Sequence, residues 1–308
     1  MDQTKRNFLK QSAIMASALC LPSLPSFAAA GMAPAKEGFR LIVLATNWGY
    51  NGSIDAFCQQ AKQAGYDGLE VWWPGEAGAQ QELFAALAKH DMQVGFLAAG
   101  YDSDYTKHAQ QFETMLKAAT SSKVKPLYIN CHSGKDYFTF AQNCALIDMT
   151  VRISKQSGVP VYHETHRSRM LFAAHVARQF IEAKPDLRLT LDISHWCNVH
   201  ESLLQDQSAT VAKALERASH IHARIGHPEG PQVNDPRAPE WEGAVKAHFA
   251  WWDQVVQYHR TAGKPLTFLT EFGPADYLPT LPYTRQPLAD QWDINVYMMK
   301  QLKQRYSK

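Results

Sequence analysis

Eight short runs of apolar, largely β-branched or aromatic residues recur along this chain, at 39–45, 68–73, 94–99, 126–131, 160–163, 187–193, 220–225 and 265–271. They are apolar almost throughout. A strand half exposed to water would alternate apolar with polar residues, so a continuous run predicts a strand covered on both faces, as in a parallel sheet under helices. Eight strand–helix units within 38–305 of 308 residues predict one domain, a closed (β/α)8 TIM barrel, class α/β. An open doubly wound sheet is the runner-up, but no G-x-G-x-x-G follows the first run, as a dinucleotide-binding version would want.

The intervening segments carry helical spacing. Ile54, Phe57, Ala61 and Ala64 fall on one face after Ser53, a candidate N-cap, and before Gly65, placed to stop the helix. Leu83, Phe84, Leu87 and Ala88 repeat the pattern, as do Phe112, Met115, Leu116 and Ala119. Cys144, Ile147 and Val151 precede Gly158, and Val245, Phe249, Trp252 and Val256 precede Gly263.

Residues 1–30 stand apart. Lys5, Arg6 and Lys10 make a basic head, 13–21 is a short apolar run, and Ser26-Phe27-Ala28-Ala29-Ala30 offers small residues at cleavage-site spacing. This predicts an export signal and a periplasmic mature protein. The stretch around Lys5-Arg6 resembles a twin-arginine signal with lysine in place of the first arginine, which leaves the general secretory route open. The apolar run is far shorter than the roughly 20 residues that span a bilayer, so no stable membrane anchor is expected. Apart from Cys20, the cysteines are Cys58, Cys131, Cys144 and Cys197, without C-x-x-C spacing. Buried free thiols are expected, with one bridge as the alternative in an oxidising compartment. A formal charge of +2, from 31 Lys and Arg against 29 Asp and Glu, excludes the strongly basic footprint of a dedicated nucleic-acid binder.

In a barrel, the carboxyl ends of the strands carry chemistry. The fifth run ends in Glu164-Thr165-His166-Arg167, the sixth in Asp192-Ile193-Ser194-His195, the seventh contains His220-Ile221-His222-Ala223-Arg224, and the eighth ends in Thr270-Glu271-Phe272-Gly273. Each places a carboxylate or an imidazole near one rim, where an unpaired buried charge would be costly. One divalent cation, Mn²⁺, Mg²⁺, Zn²⁺ or Co²⁺, held by Glu164, Asp192, His222 and Glu271 would give all four a common partner.

These four motifs resemble those of the xylose isomerase-like TIM-barrel superfamily, which includes sugar phosphate isomerases and epimerases, hydroxypyruvate isomerases and apurinic endonucleases. The resemblance spans 38–305 and implies the same four metal ligands, with Glu164 and Glu271 on opposite sides of a substrate carbon. It also implies that His195 and Arg224 contact substrate oxygens, and that His132, at the end of the fourth run, lies near the substrate. The chemistry expected is proton transfer next to a carbonyl through a metal-stabilised enediolate, one glutamate acting as base and the other as acid. The substrate is then a small sugar or sugar-derived acid.

Three further features stand beside that set. Trp72, with Glu70 and Trp73 at the end of the second run, is a candidate for stacking on a sugar ring. His166, with Arg167 and Arg169 nearby, is a candidate for an anionic group. His227 and the loop 228–239 read as a long cover over the site. The function expected is a metal-dependent isomerase or epimerase. Alternatives are a lyase, dehydratase or hydrolase on the same metal, or a sugar-binding protein without turnover. An apurinic endonuclease, a minor alternative, would need further ligands for a metal cluster: His132 matches one position, but Trp72-Trp73-Pro74 stands where a histidine would be needed, and no Asp-x-His follows the seventh run. Relatives of this type commonly form homo-oligomers.

Overall fold

A computed structural model describes residues 32 and 34–307. The expected export signal lies outside the described residues. Eight strands pair in parallel, each with its sequence neighbour, and the first with the last, to close a barrel: β1 (Leu41–Thr46), β2 (Gly68–Trp72), β3 (Gln93–Ala99), β4 (Ile129–His132), β5 (Val161–Glu164), β6 (Leu189–Leu191), β7 (Ala218–His222) and β8 (Leu266–Thr270). Closure is made by a register that runs from Leu41 opposite Leu266 to Ala45 opposite Thr270. The (β/α)8 barrel expected from the eight runs is the fold.

The strands are mostly shorter than the apolar runs. β4 starts at Ile129 rather than 126, β6 spans only Leu189–Leu191, and β7 covers 218–222 rather than 220–225. Burial, not pairing, keeps the remaining run residues apolar: Leu187, Ile193, Ala223 and Ile225 are each at most 1% exposed beyond the ladder ends. The runs therefore record the core more faithfully than the hydrogen bonds.

Helices α1 (Ile54–Ala64), α2 (Ala77–His90), α3 (Tyr105–Thr120), α4 (Phe140–Ser157), α5 (Ala174–Ala183), α6 (Ser194–Val199), α7 (Ser208–Arg217), α8 (Glu242–Ala262) and α9 (Gln291–Tyr306) connect or follow the strands. Ser53 caps α1 by accepting from the Ala56 amide, and Gly65 ends it at φ 103°, a conformation that suits glycine. Thr139 and Gln142 form a reciprocal capping box on α4. No helix among the described residues is long and apolar enough to cross a membrane.

Outward strand residues such as Val43, Ala45 and Ile129 join the helices in the main core. Inside the barrel a smaller cluster, Ile42, Leu44, Tyr128 and Leu269, forms an apolar plug. Cys58, Cys131, Cys144 and Cys197 are free and buried, as expected.

Candidate metal centre

Side chains two apart on a strand share a face. On the inward face this rule stacks polar residues above Ile42, Leu44 and Leu269: Tyr128 just before β4 with Asn130 and His132 on it, His220 and His222 on β7, and Glu70 and Trp72 on β2. Glu164 ends β5 and His222 ends β7, while Asp192 and Glu271 lie one residue past β6 and β8. Each of the four offers a ligand atom, and these atoms all lie within 4.8 Å of one another.

His222 is central. Its Nδ1 lies 2.8 Å from Glu271 Oε2 and 3.7 Å from Glu164 Oε1. None of these three buried atoms has a hydrogen-bond partner of acceptable geometry. Buried polar atoms are rarely left unpaired, because each forfeits its water without replacement. Oxygen and imidazole donors crowded in this way fit a divalent cation. Asp192 differs. Its Oδ1 accepts from the Ser194 amide at 3.1 Å and from the Ser194 hydroxyl, and its Oδ2 accepts from Arg224 Nη2.

The electrostatics follow from this crowding. Burial would depress the His222 imidazolium, but Glu271, Glu164 and Glu70 around it hold it well above the usual imidazole range. Burial pushes the Asp192 carboxyl up to about 7, reinforced by Glu271 and Glu164 and opposed by Arg224. Although desolvation works against them, Glu164 is held well below the usual range by His132 and His222, and Glu271 is lowered by His222 and Arg224. His166 is lowered to about 4 and His195 well below its ordinary value, both chiefly by burial. They are neutral imidazoles at neutral pH.

Above the cluster a cavity of about 290 Å³ opens at the carboxyl end of the barrel. Its wall is made by Thr46, Asn47 and Trp48 after β1, by Trp72, Leu97, His132 and His166, and by Arg224, Glu271 and Tyr277. A larger hollow, about 410 Å³, opens at the opposite end among Pro160, Tyr162 and Pro265. None of the ligating clusters lies there.

The residues singled out in the sequence take different places. His132 lies on the wall, with Nε2 against Glu164 Oε2, which also accepts from Asn130 Nδ2 at 2.8 Å. His166 is on the wall, its ring 5.1 Å from that of His132 and 4.0 Å from that of His195. Trp72 is 43% exposed at the mouth, edge-on to His132 and beside Tyr101. His195 is fully buried behind the wall, 2.8 Å from Arg224 Nη2. Arg224 reaches the wall, yet its guanidinium is engaged by Asp192, Ser194 and His195 and lies 3.5 Å from Glu271. The loop 228–239 does not form the expected cover: the wall contains none of it. His227 instead bridges to Gly230 and packs at a tilt against Trp241, and Gln232 ties the loop to Gly273. The wall residue from a long loop is Tyr277, which follows β8 and carries the guanidinium groups of Arg167 and Arg224 over its ring.

Trp48 and Tyr277 sit in loops without a periodic signal, and neither they nor Asn130 stand out in the sequence as site residues. Glu70 stands out there only beside two tryptophans. The available signal was its charge in an otherwise apolar strand.

No protein-family model matches the chain. No protein of curated function matches it either. Solved structures do share its fold. A 3-keto-D-glucoside 4-epimerase from E. coli aligns at 13% identity and TM-score 0.55, covering 86% of this chain and 100% of that one. A xylose isomerase-like TIM-barrel protein from Mycobacterium smegmatis, solved with magnesium, aligns at 11% identity and TM-score 0.55, covering 86% and 97%. A probable 3-DHS dehydratase from Bacillus anthracis aligns at 17% identity and TM-score 0.54, covering 86% and 99%. Likeness at these identities establishes the barrel.

Proposed function

We propose that this protein is a divalent-metal-dependent isomerase or epimerase of a sugar or sugar-derived acid. Glu164, Asp192, His222 and Glu271 would hold the cation. The observation that carries the reading is the convergence of three buried ligand atoms without a hydrogen bond of acceptable geometry, Glu164 Oε1, His222 Nδ1 and Glu271 Oε2, beneath a cavity that Glu271 itself lines. The magnesium complex of the mycobacterial protein and the sugar chemistry of the E. coli epimerase support it by analogy of fold.

Bound there, a divalent cation supplies positive charge that favours negative charge developing on adjacent substrate oxygens. The chain's own groups do the rest. Glu271 faces the cavity and is held ionised beside His222 and Arg224, so it is the group placed to take a proton from a substrate carbon. Glu164 stands on the other side of His222 with Oε2 held by Asn130 and His132, and it serves the opposite face. His132, on the wall and touching Glu164, orients a substrate hydroxyl. His166 offers Nε2 to the cavity because its Nδ1 is bonded to the Arg167 carbonyl. Trp72 supplies an apolar face at the mouth. Arg224 and His195 fix the carboxylates. The first thirty residues direct the chain to export, which amino-terminal sequencing of protein from the native cell checks.

A screen of free sugars, sugar phosphates and sugar acids with Mn²⁺ in deuterated water tests the reaction. Deuterium entering at a carbon next to a carbonyl, with isomer or epimer formed, supports it. Release of water or of a leaving group instead, with metal bound, would replace it by a lyase or hydrolase.

A further inference from the structure

Directly beneath the candidate metal centre a second polar layer crosses the barrel. Glu70 on β2 has no exposed surface, and its Oε1 lies 3.0 Å from His222 Nε2, the ring nitrogen turned away from Glu164 and Glu271. Its Oε2 accepts from the Tyr128 hydroxyl at 2.6 Å and lies 3.1 Å from His220 Nε2. His220 Nδ1 is 2.7 Å from the Thr267 hydroxyl. The Thr267 carbonyl also lies 3.1 Å from Nδ1, and with Thr267 Oγ1 donating to Nδ1 at the shorter distance the Nε2 proton of a neutral His220 faces Glu70. Tyr128 reaches Glu70 because β3 has a glycine opposite it: a Cβ on Gly95 would lie 2.6 Å from the Tyr128 ring.

We propose that Glu70 is a positioning residue for the candidate cation: when a cation displaces the His222 proton that faces Glu271, Glu70 keeps the remaining proton on Nε2, so that Nδ1 is the nitrogen presented beside Glu164 and Glu271. This rests on the metal-dependent reading above. A neutral imidazole has one proton for two nitrogens, and a carboxylate can only accept. Both ring nitrogens face carboxylate oxygens, Nε2 at 3.0 Å and Nδ1 at 2.8 Å, but a cation held by Glu164 and Glu271 would offset the bare Nδ1, whereas nothing would offset a bare Nε2 against Glu70. Asn130 Nδ2, 3.2 Å from Nε2, favours the opposite tautomer, but it is neutral and already donates to Glu164 at 2.8 Å. Hydrogen bonds to a charged acceptor are about twice as strong as neutral ones, so Glu70 decides. Metal-ligating histidines are oriented in this way by carboxylates that touch no metal themselves. Glu70, His220 and His222 also lie close enough to be considered as a cation site of their own. Against that, Tyr128 and His220 already occupy Oε2.

The test uses the full chain, stripped of metal and titrated with Zn²⁺ by calorimetry. In Glu70→Gln the side-chain amide can donate to Nε2 and move the proton to Nδ1, so Zn²⁺ should bind 10- to 100-fold more weakly. Stoichiometry should stay at one ion, with the near-ultraviolet dichroism of the metal-free protein unchanged. A second measurement needs no variant: nitrogen-15 spectra of the zinc-loaded wild type should show a proton on Nε2 of His222 and zinc on Nδ1, which also decides the matter if Glu70→Gln fails to fold. Equal zinc affinity in a folded Glu70→Gln, zinc on Nε2, or two ions per chain would overturn the role of Glu70 alone. A wild type that binds no divalent cation would overturn the metal reading and this proposal with it.

Discussion

Arg224 donates from Nη2 to Asp192 inside the ring of candidate ligands, with side chains only 2% and 0% exposed. The pair puts a fixed positive charge within a cluster of three carboxylates. Asp192 is thereby oriented, and part of the repulsion among Glu164, Asp192 and Glu271 is relieved without a metal. A cation arriving at this site competes with the guanidinium for Asp192.

Removing the guanidinium should expose that competition. Breaking a buried ion pair from one side typically costs about 3–5 kcal/mol, because the remaining charge stays buried and unpaired. Arg224→Met should lose stability of that order in the metal-free state. Saturating Mn²⁺ should then stabilise the variant more than the wild type. Urea melts with EDTA and with Mn²⁺ measure both effects, and an equal metal increment in the two proteins would contradict the competition.

The two glutamates should behave differently when made neutral. Glu271 lines the cavity, whereas Glu164 is held behind it by Asn130 and His132. Glu271→Gln should abolish solvent-deuterium exchange at the substrate carbon, with loss of general-base catalysis worth typically about 10² to 10⁴-fold. Glu164→Gln should retain exchange while losing net turnover. Metal occupancy must be verified in each variant by elemental analysis. Normal turnover in metal-loaded Glu271→Gln would exclude it as the base.

Trp72 separates binding from folding. At 43% exposure it contributes little to the core, so Trp72→Ala should change unfolding free energy by no more than about 0.5 kcal/mol. Substrate affinity should fall, seen as a raised KM with kcat less affected. A large drop in Tm with unchanged KM would assign it to packing.

His248 carries a pH signature away from the candidate ligands. Its Nδ1 donates to the Ala244 carbonyl at 2.8 Å and its Nε2 accepts from the Gly226 amide at 3.2 Å, an arrangement only the neutral ring can make. Burial accordingly lowers it to about 4. Above the ordinary imidazole value near 6.5, folded and unfolded chains are both neutral there. Between pH 6.5 and 4 the unfolded chain takes up a proton that the folded one refuses, so stability falls with pH. That shift is worth about 3 kcal/mol at the acid end. Urea melts across this range should show a smaller acid loss in His248→Gln than in the wild type. Parallel profiles would refute the assignment.

The fold and the rim were legible in the sequence for a local reason. Strand burial is written in continuous apolar runs and helix boundaries in caps such as Ser53 and Gly65. The two-residue period put His222 and Arg224 on one face, and the ends of successive runs named Glu164, Asp192 and Glu271. Such signals span a few residues and survive without knowledge of partners. What the chain could not disclose depends on closure of the barrel. Glu70 is charged within an apolar strand, and only the crossing of β2, β4 and β7 around one axis gives it Tyr128, His220 and His222 as partners. The same closure engages Arg224 with Asp192 while leaving it on the cavity wall, and it puts Tyr277 rather than the loop 228–239 on that wall. Sequence determines which groups point inward, because pleat and periodicity are properties of neighbouring residues. Which atom each group meets is decided by tertiary structure, because hydrogen bonds and ion pairs act over about 3 Å between residues that lie far apart in the chain.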